Sequence, residues 1–330
     1  MARIYHRDQA GAPALTYNAA SSVSADHFAA FKVILKAALV SGYGSIPAAG
    51  WSLVYESTTT LILRPGTKSG YVCFVRDSAI TVVNVWLAAT FEGVDANGKI
   101  IGDGVRSGVA ANSAVPQRYS VRALVSYSVS TTWAIVADES AFVFSPSAGT
   151  SSAQEVTGTQ GNGYEAVTLL YCGDDSAGDL ICVGGQNVAA VSSSTNLASF
   201  SSAGFTALRF PHTGLLIDTA SIALSMPGAQ AGAPAMYSEW PAGTVLPEVS
   251  LTPLVWISSG VVRRLKGLAV DPRLLYVYNS QVSQALGGPV LTTRNMNNVL
   301  SLGDGHAYIV GRSYYWLAIS ALLTTNPEFW

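Results

Sequence analysis

The chain has 330 residues, of which 18 are basic and 20 acidic, so its formal net charge is −2. Charged residues make up 12% of the sequence and hydrophobic residues 49%, and this charged share is about half of the value usual in soluble domains. The nearly neutral balance argues against a direct nucleic-acid partner, because binding phosphates needs concentrated positive charge. A weakly charged surface instead favours association with other protein subunits.

The N-terminal residues Met-Ala-Arg-Ile-Tyr-His-Arg-Asp lack the apolar centre of a signal peptide. No uninterrupted apolar run approaches the roughly 18 residues of a membrane helix. We therefore expect a protein made in the cytoplasm that spans no membrane.

The first predicted element is a helix over 24–42. Phe28, Phe31, Leu35 and Leu39 recur at three- and four-residue steps, which places them on one face. Gly42 follows this pattern and suits the left-handed conformation that closes many helices. We expect this amphipathic helix to pack on a sheet.

Short runs rich in β-branched and aromatic residues follow the helix, separated by Gly, Pro, Asn and Asp, and this texture predicts strands joined by turns. The predicted strands of the first half are 51–56, 60–64, 70–76, 80–90, 119–127, 133–137 and 141–145. Those of the second half are 164–172, 179–183, 205–210, 215–220, 254–258, 274–278, 306–310 and 314–320.

The stretch around 147–163 is rich in Ser, Gly, Thr and Gln and almost free of large apolar residues. Such a composition buries too little apolar area to offset its ordering entropy. We therefore predict a mainly β protein with two sandwich-like domains, 1–146 and 164–330, joined by a linker at 147–163, with the helix packed on the first.

Three cysteines, Cys73, Cys172 and Cys182, form no C-x-x-C pair, which argues against a zinc site. Cys172 and Cys182 flank a Gly/Asp turn and could face each other across a hairpin. Buried free thiols are the favoured interpretation, and a bridge between these two stays open.

Several short sequence segments occur in a recognisable order along the chain. They are Gly42-Tyr43-Gly44 with Pro47-Ala48-Ala49-Gly50-Trp51, the segments 70–77 and 133–144, Gly178-Asp179-Leu180-Ile181-Cys182-Val183-Gly184-Gly185, Arg263-Arg264-Leu265-Lys266-Gly267-Leu268, and the aromatic close Tyr314-Tyr315-Trp316 with Asn326-Pro327-Glu328-Phe329-Trp330. Together they resemble a family of structural proteins of the tail region of tailed bacteriophages. In that family the segment 133–144 is a hairpin with its turn at Asp138-Glu139. The resemblance implies a place in the virion, in contact with copies of itself and other virion proteins.

The sequence carries no motif of an enzyme, a cofactor site or a metal site. The four histidines, His6, His27, His212 and His306, are widely spaced. Asp103 and the pair Asp174-Asp175 lie in Gly/Asp-rich segments without the spacing of a calcium loop or phosphate loop, so we interpret them as turn residues. We predict no catalytic, cofactor-binding or metal-binding residue.

Four aromatic residues beside turns or at the C-terminus are the candidate interface residues: Trp51, Trp240, Phe329 and Trp330. The leading hypothesis is assembly into the tail or baseplate through subunit contacts. A second hypothesis is a tail-tip module that binds a host surface glycan through Trp51 and Trp240, since loops on rigid sandwiches suit recognition. A polysaccharide depolymerase is a distant third, because a carboxylate pair across a cleft is not signalled.

Overall fold

The computed structural model describes residues 1–16, 24–77, 82–107, 117–120, 130–147, 170–184, 205–209, 213–216, 222–225, 251–258, 260–270, 299–301, 305–312 and 319–330. Within them the chain is mainly β, as predicted. The first strands are β1 Arg3–His6, β2 Leu15–Thr16, β3 Ser52–Glu56, β4 Thr60–Arg64, β5 Tyr71–Arg76, β6 Val82–Ala88, β7 Gly93–Val94, β8 Ile100–Ile101, β9 Gln117–Ser120, β10 Ser130–Ala137 and β11 Ala141–Ser147. The later ones are β12 Leu170–Asp174, β13 Leu180–Gly184, β14 Phe205–Ala207, β15 Ile222–Ser225, β16 Thr252–Ser258, β17 Val261–Val270, β18 Val299–Ser301, β19 Ala307–Arg312 and β20 Ile319–Thr324.

The described strands form three larger antiparallel sheets and a small hairpin, β7–β8. The seven-stranded sheet has the order β1-β10-β11-β12-β13-β14, with β2 also paired to β10. The five-stranded sheet has the order β3-β4-β5-β6-β9, and the six-stranded sheet the order β15-β16-β17-β20-β19-β18.

The helix α1, Ser24–Lys36, continues as a wider π-helical turn, Ala37–Ser41, so the prediction of a helix over 24–42 is confirmed. Its four periodic apolar residues are all buried, namely Phe28, Phe31, Leu35 and Leu39. Gly42 follows with a φ of 75°, and a side chain there would meet the carbonyl oxygen of Ile46 at 2.5 Å. Glycine is thus required by both conformation and space.

The five- and seven-stranded sheets share one hydrophobic core with α1, which makes this part of the chain a sandwich with a helix in its core. Phe31 links the layers. Its ring meets Phe74 of β5 edge-on at 5.3 Å between centroids and Phe144 of β11 at 5.7 Å. The helix therefore contacts both sheets instead of lying on one.

The predicted boundary at 147–163 needs a correction. Strand β11 before it and strand β12 after it are hydrogen-bonded neighbours, with Phe142 opposite Cys172. Strands β13 and β14 extend the same sheet. Strands β12, β13 and β14 thus complete the first sandwich, because strands that are far apart along the chain can pair in one sheet. Most of the predicted linker, 148–163, lies outside the described residues.

Most predicted strands in the described part of the chain correspond to observed ones. The principal omission is β17, Val261–Val270, where Arg263, Arg264 and Lys266 interrupt the apolar pattern. The predicted strand 274–278 lies outside the described residues. The predicted turn at Asp138-Glu139 is confirmed, since β10 and β11 pair on either side of it.

Candidate functional site

Trp51 lies inside the sandwich, so its expected place at an interface is corrected. Only 3% of the residue is exposed. Its indole N–H donates to the carbonyl oxygen of Asp138 at 2.9 Å, and its ring meets Phe142 edge-on at 5.3 Å. The backbone N–H groups of Gly50 and Trp51 also donate to the carbonyl of Leu39, which would otherwise be unpaired at the helix end. Trp51 therefore joins the helix to the β10–β11 turn.

The C-terminal aromatic residues pack on their own chain. Phe329 is 8% exposed. The indole N–H of Trp330 donates to the carbonyl of Thr324 at 2.7 Å, and its ring occupies the space above Gly267, where a side chain would overlap it. Trp330 stays partly exposed. The fourth candidate, Trp240, lies outside the described residues.

In the described part of the chain, His6 contacts an acid. Its Nδ1 lies 3.5 Å from Oδ2 of Asp8 and accepts from the backbone N–H of Asp8 at 3.2 Å, which is a local contact between residues two positions apart. His212 and the side chain of His27 lie outside the described residues. Within the described ranges, no three His, Cys, Asp or Glu side chains are placed to hold a metal ion, and no helix is long and apolar enough to cross a membrane.

A cluster of buried polar groups lies where the β12–β13 turn meets β16 and β17, and we call it the polar joint. Its centre is Asp175, which is fully buried. Oδ1 accepts from the backbone N–H groups of Ala177 at 2.8 Å and Asp179 at 3.1 Å, which closes the turn. Oδ2 accepts from the indole N–H of Trp256 in β16 at 2.9 Å. One carboxyl group therefore holds the turn and ties it to another sheet.

Hydrogen bonds to the backbone of β17 strengthen the polar joint. The N–H of Ser176 donates to the carbonyl of Arg264 at 3.0 Å, and the N–H of Arg264 donates to Oγ of Ser176 at 3.1 Å. The hydroxyl of Tyr171 donates to the carbonyl of Asp174 at 2.6 Å and accepts from the N–H of Lys266 at 3.3 Å. Paired bonds of this kind fix the register of β17 against the sandwich.

A second turn belongs to the same network. Oδ1 of Asp138 accepts from the N–H and hydroxyl of Ser140, both at 2.7 Å, and from the N–H of Ala141 at 3.0 Å. The hydroxyl of Ser140 also accepts from Nζ of Lys266 at 2.9 Å. The β10–β11 and β12–β13 turns are therefore both bonded to β17.

Burial dominates the electrostatics of the polar joint. It raises the pKa of Asp174 above its ordinary value, although hydrogen bonds from Ser69 and Thr67 oppose this. Burial, with the negative potential of Asp175, raises the pKa of Asp179. The pKa of Tyr171 is raised well above its ordinary value by complete burial. Burial therefore makes the charged form of each group less favourable in the folded chain than in water.

The polar joint holds two hairpin turns against β17. Carboxyl oxygens of Asp138, Asp174 and Asp175 accept hydrogen bonds from turn backbone, hydroxyls and an indole of the same chain. The expectation that Asp174-Asp175 are turn residues holds for Asp175, whereas Asp174 ends strand β12 opposite Leu180. The bond from Trp256 to Asp175 was not expected. The two residues are 81 positions apart, and no local pattern carries such a contact.

A second group of aromatic side chains lies on the outer face of the five-stranded sheet. Tyr55 and Tyr71 flank Phe91 at ring-centroid distances of 6.4 and 6.0 Å, and all three are partly exposed. The guanidinium of Arg64 lies 4.9 Å from the Tyr71 ring centroid, a cation–π distance. Tyr55, Arg64 and Tyr71 lie on neighbouring strands, so pairing of β3, β4 and β5 assembles the group.

No family model matches the chain, and the searches of curated proteins and of solved structures find no significant match.

Proposed function

We propose that the chain is a non-enzymatic structural component of a tailed-phage particle, in the tail or baseplate region. It acts through contacts with copies of itself and with other virion proteins. The observation that carries the proposal is the polar joint, in which the fully buried Asp175 and the partly exposed Asp138 organise turns and link sheets. These carboxyl groups hold β layers together, which suits a structural subunit of a particle.

Composition and resemblance add support. Only 12% of residues are charged, so apolar and hydroxyl-rich surface is available for burial between subunits. The sequence segments that occur in the same order between Gly42 and Trp330 resemble those of tail-region virion proteins. Subunit contacts would add to the stability of each folded copy.

The test combines assembly state with location. The full chain is purified and its mass followed by light scattering over a wide concentration range, and purified particles are analysed by mass spectrometry and cryo-EM. We expect a closed oligomer, and density for the chain in the tail or baseplate. A protein that stays monomeric at high concentration and is absent from particles contradicts the proposal.

Two exposed apolar residues allow a matched pair of variants that tests which sheet forms the contact between subunits. Leu53 on the edge strand β3 is 42% exposed, and Val262 on β17 is 53% exposed. Each is changed to aspartate, which leaves the core intact. Dissociation in only one variant assigns the contact to that sheet.

The second candidate is a module that binds a host surface glycan. The outer aromatic group favours it, because the partly exposed rings of Tyr55, Tyr71 and Phe91 offer faces on which a sugar can stack. Glycan-array binding by the wild type that is lost in Tyr71→Ala and kept in Leu53→Ala supports this candidate. Absence of binding and of any block of phage adsorption counts against it.

A further inference from the structure

Two cysteines face each other at the centre of the β12–β13 hairpin. Cys172 and Cys182 are direct cross-strand partners, their sulfur atoms are 3.0 Å apart, and both residues are free thiols with no exposed surface. The two side chains belong to the sandwich core. The pair is therefore close enough to bond and is shielded from solvent.

The backbone ladder at this point suits a bridge. The N–H of Asp175 donates to the carbonyl of Asp179 at 2.9 Å, so hydrogen-bonded pairs alternate from there along the hairpin. By this alternation Cys172 and Cys182 form a pair without backbone bonds between them, where Cα atoms are about 4.5 Å apart. Disulfides span Cα separations of roughly 4.4–6.8 Å, so the backbone can keep its position when the bridge forms.

The third cysteine is in a different environment. Cys73 belongs to the cluster on the outer face of the five-stranded sheet, with its sulfur 3.8 Å from the carbonyl of Gly98. Burial raises its pKa to about 12. Because Cys73 lies in a different hydrophobic cluster from Cys172 and Cys182, it serves as an internal reference for a free thiol.

We infer that Cys172 and Cys182 are an oxidation site that closes to an intrachain disulfide, with a small-molecule disulfide such as oxidised glutathione as the oxidant. One cysteine thiolate attacks the glutathione disulfide and releases one glutathione, and the second cysteine displaces the other. The two protein S–H bonds are lost, one protein S–S bond forms, and two electrons and two protons convert the oxidant into two glutathione thiols.

Burial determines when this exchange takes place. It holds the pKa of Cys172 well above its ordinary value, and the thiolate is the attacking species. Exchange on the closed hairpin is therefore slow, and it proceeds during folding or when the hairpin opens. The resulting bridge fixes the two strands whose turn carries Asp175. In a reducing compartment the polar joint is held by hydrogen bonds without a covalent link. In an oxidising compartment the β12–β13 hairpin, which carries Asp175, is cross-linked.

The test refolds the full chain from urea in either oxidised or reduced glutathione. After oxidative refolding and removal of glutathione, we expect maleimide in urea to label one of the three thiols, a mass lower by two hydrogen atoms, and a peptide linking Cys172 to Cys182. Cys73→Ala should form the same link, and Cys182→Ala should not. Three labelled thiols in an oxidatively refolded wild type, or a link through Cys73, overturns the inference.

The oxidised and reduced forms are then compared by urea unfolding. We expect the midpoint of the oxidised form to lie at higher urea, because the bridge restricts the unfolded chain. This difference should be absent in Cys182→Ala and retained in Cys73→Ala. An equal or lower midpoint for the oxidised wild type overturns the assigned stabilising role. The readouts concern the chain itself, so they stand or fall independently of its place in a particle.

Discussion

The indole N–H of Trp256 donates a 2.9 Å hydrogen bond to Oδ2 of Asp175, and both side chains are fully buried. The other oxygen of Asp175 holds the turn between β12 and β13. This one carboxyl group connects the seven-stranded sheet to the six-stranded sheet, so its removal should destabilise both sheets.

Asp175→Asn tests this connection. The amide group replaces one of two accepting oxygens, so an N–H donor would face either Trp256 or the turn. A buried donor without an acceptor costs about 1–3 kcal/mol, and bonds to acidic groups are worth about 1.5–3 kcal/mol. We expect the free energy of unfolding to fall by roughly 2–4 kcal/mol, measured by urea denaturation.

Trp256→Phe and the double variant complete a cycle for this pair. If the bond carries the effect, the two substitutions should couple by roughly 0.5–3 kcal/mol. Strict additivity would mean that the contact contributes nothing beyond the separate burial of its members.

Asp174 should make stability depend on pH in an unusual direction. Burial raises its pKa above 3.8, so the folded chain binds this proton more tightly than the unfolded chain. Its favourable contribution is complete below pH 3.8 and is lost as pH rises through the folded value. Asp174→Asn stays neutral, so relative to wild type it should gain stability between acidic and neutral pH.

Urea midpoints of both proteins across this range measure the effect, and comparison with wild type cancels the other titrating groups. A difference between Asp174→Asn and wild type that is the same at every pH would contradict the assignment.

Phe31 is predicted to be a main determinant of the sandwich, because its ring meets Phe74 and Phe144 from opposite sheets. Phe31→Ala should cost about 3–5 kcal/mol, the usual range for a buried phenylalanine. Val33 is the control on the same helix. It is 47% exposed, so Val33→Ala should change stability by less than about 0.5 kcal/mol. Similar losses would contradict the packing role of Phe31, because alanine favours the helix at both positions and neither substitution lowers helix propensity.

Substitutions at two glycines of one hairpin test backbone strain and close packing separately. Gly173 and Gly178 have φ values of 134° and 91°, and both favour glycine. A Cβ at Gly178 meets nothing, whereas one at Gly173 would overlap the backbone of Ser140 and Ala141. Gly178→Ala should cost about 1–2 kcal/mol from conformation alone, and Gly173→Ala clearly more. Thermal unfolding of both variants checks the order, and equal losses would contradict it.

Local signals account for what the sequence predicted well. The helix over 24–42 follows from the spacing of Phe28, Phe31, Leu35 and Leu39, and the strands follow from short apolar runs between turn residues. The turn at Asp138 is equally local, because its carboxyl group bonds to residues two and three positions ahead. Such features involve neighbours along the chain, so residue order is sufficient to determine them.

Only the tertiary structure decided which strands share a sheet and which side chains are covered. Pairing of β11 with β12 moves the predicted boundary. Trp51, beside a turn in sequence, becomes a core residue because Phe142 and Asp138 come to meet it. The bond from Trp256 to Asp175 likewise requires strands far apart in sequence to lie together. Periodicity along one segment says which face is apolar, but partners from distant segments determine what that face meets.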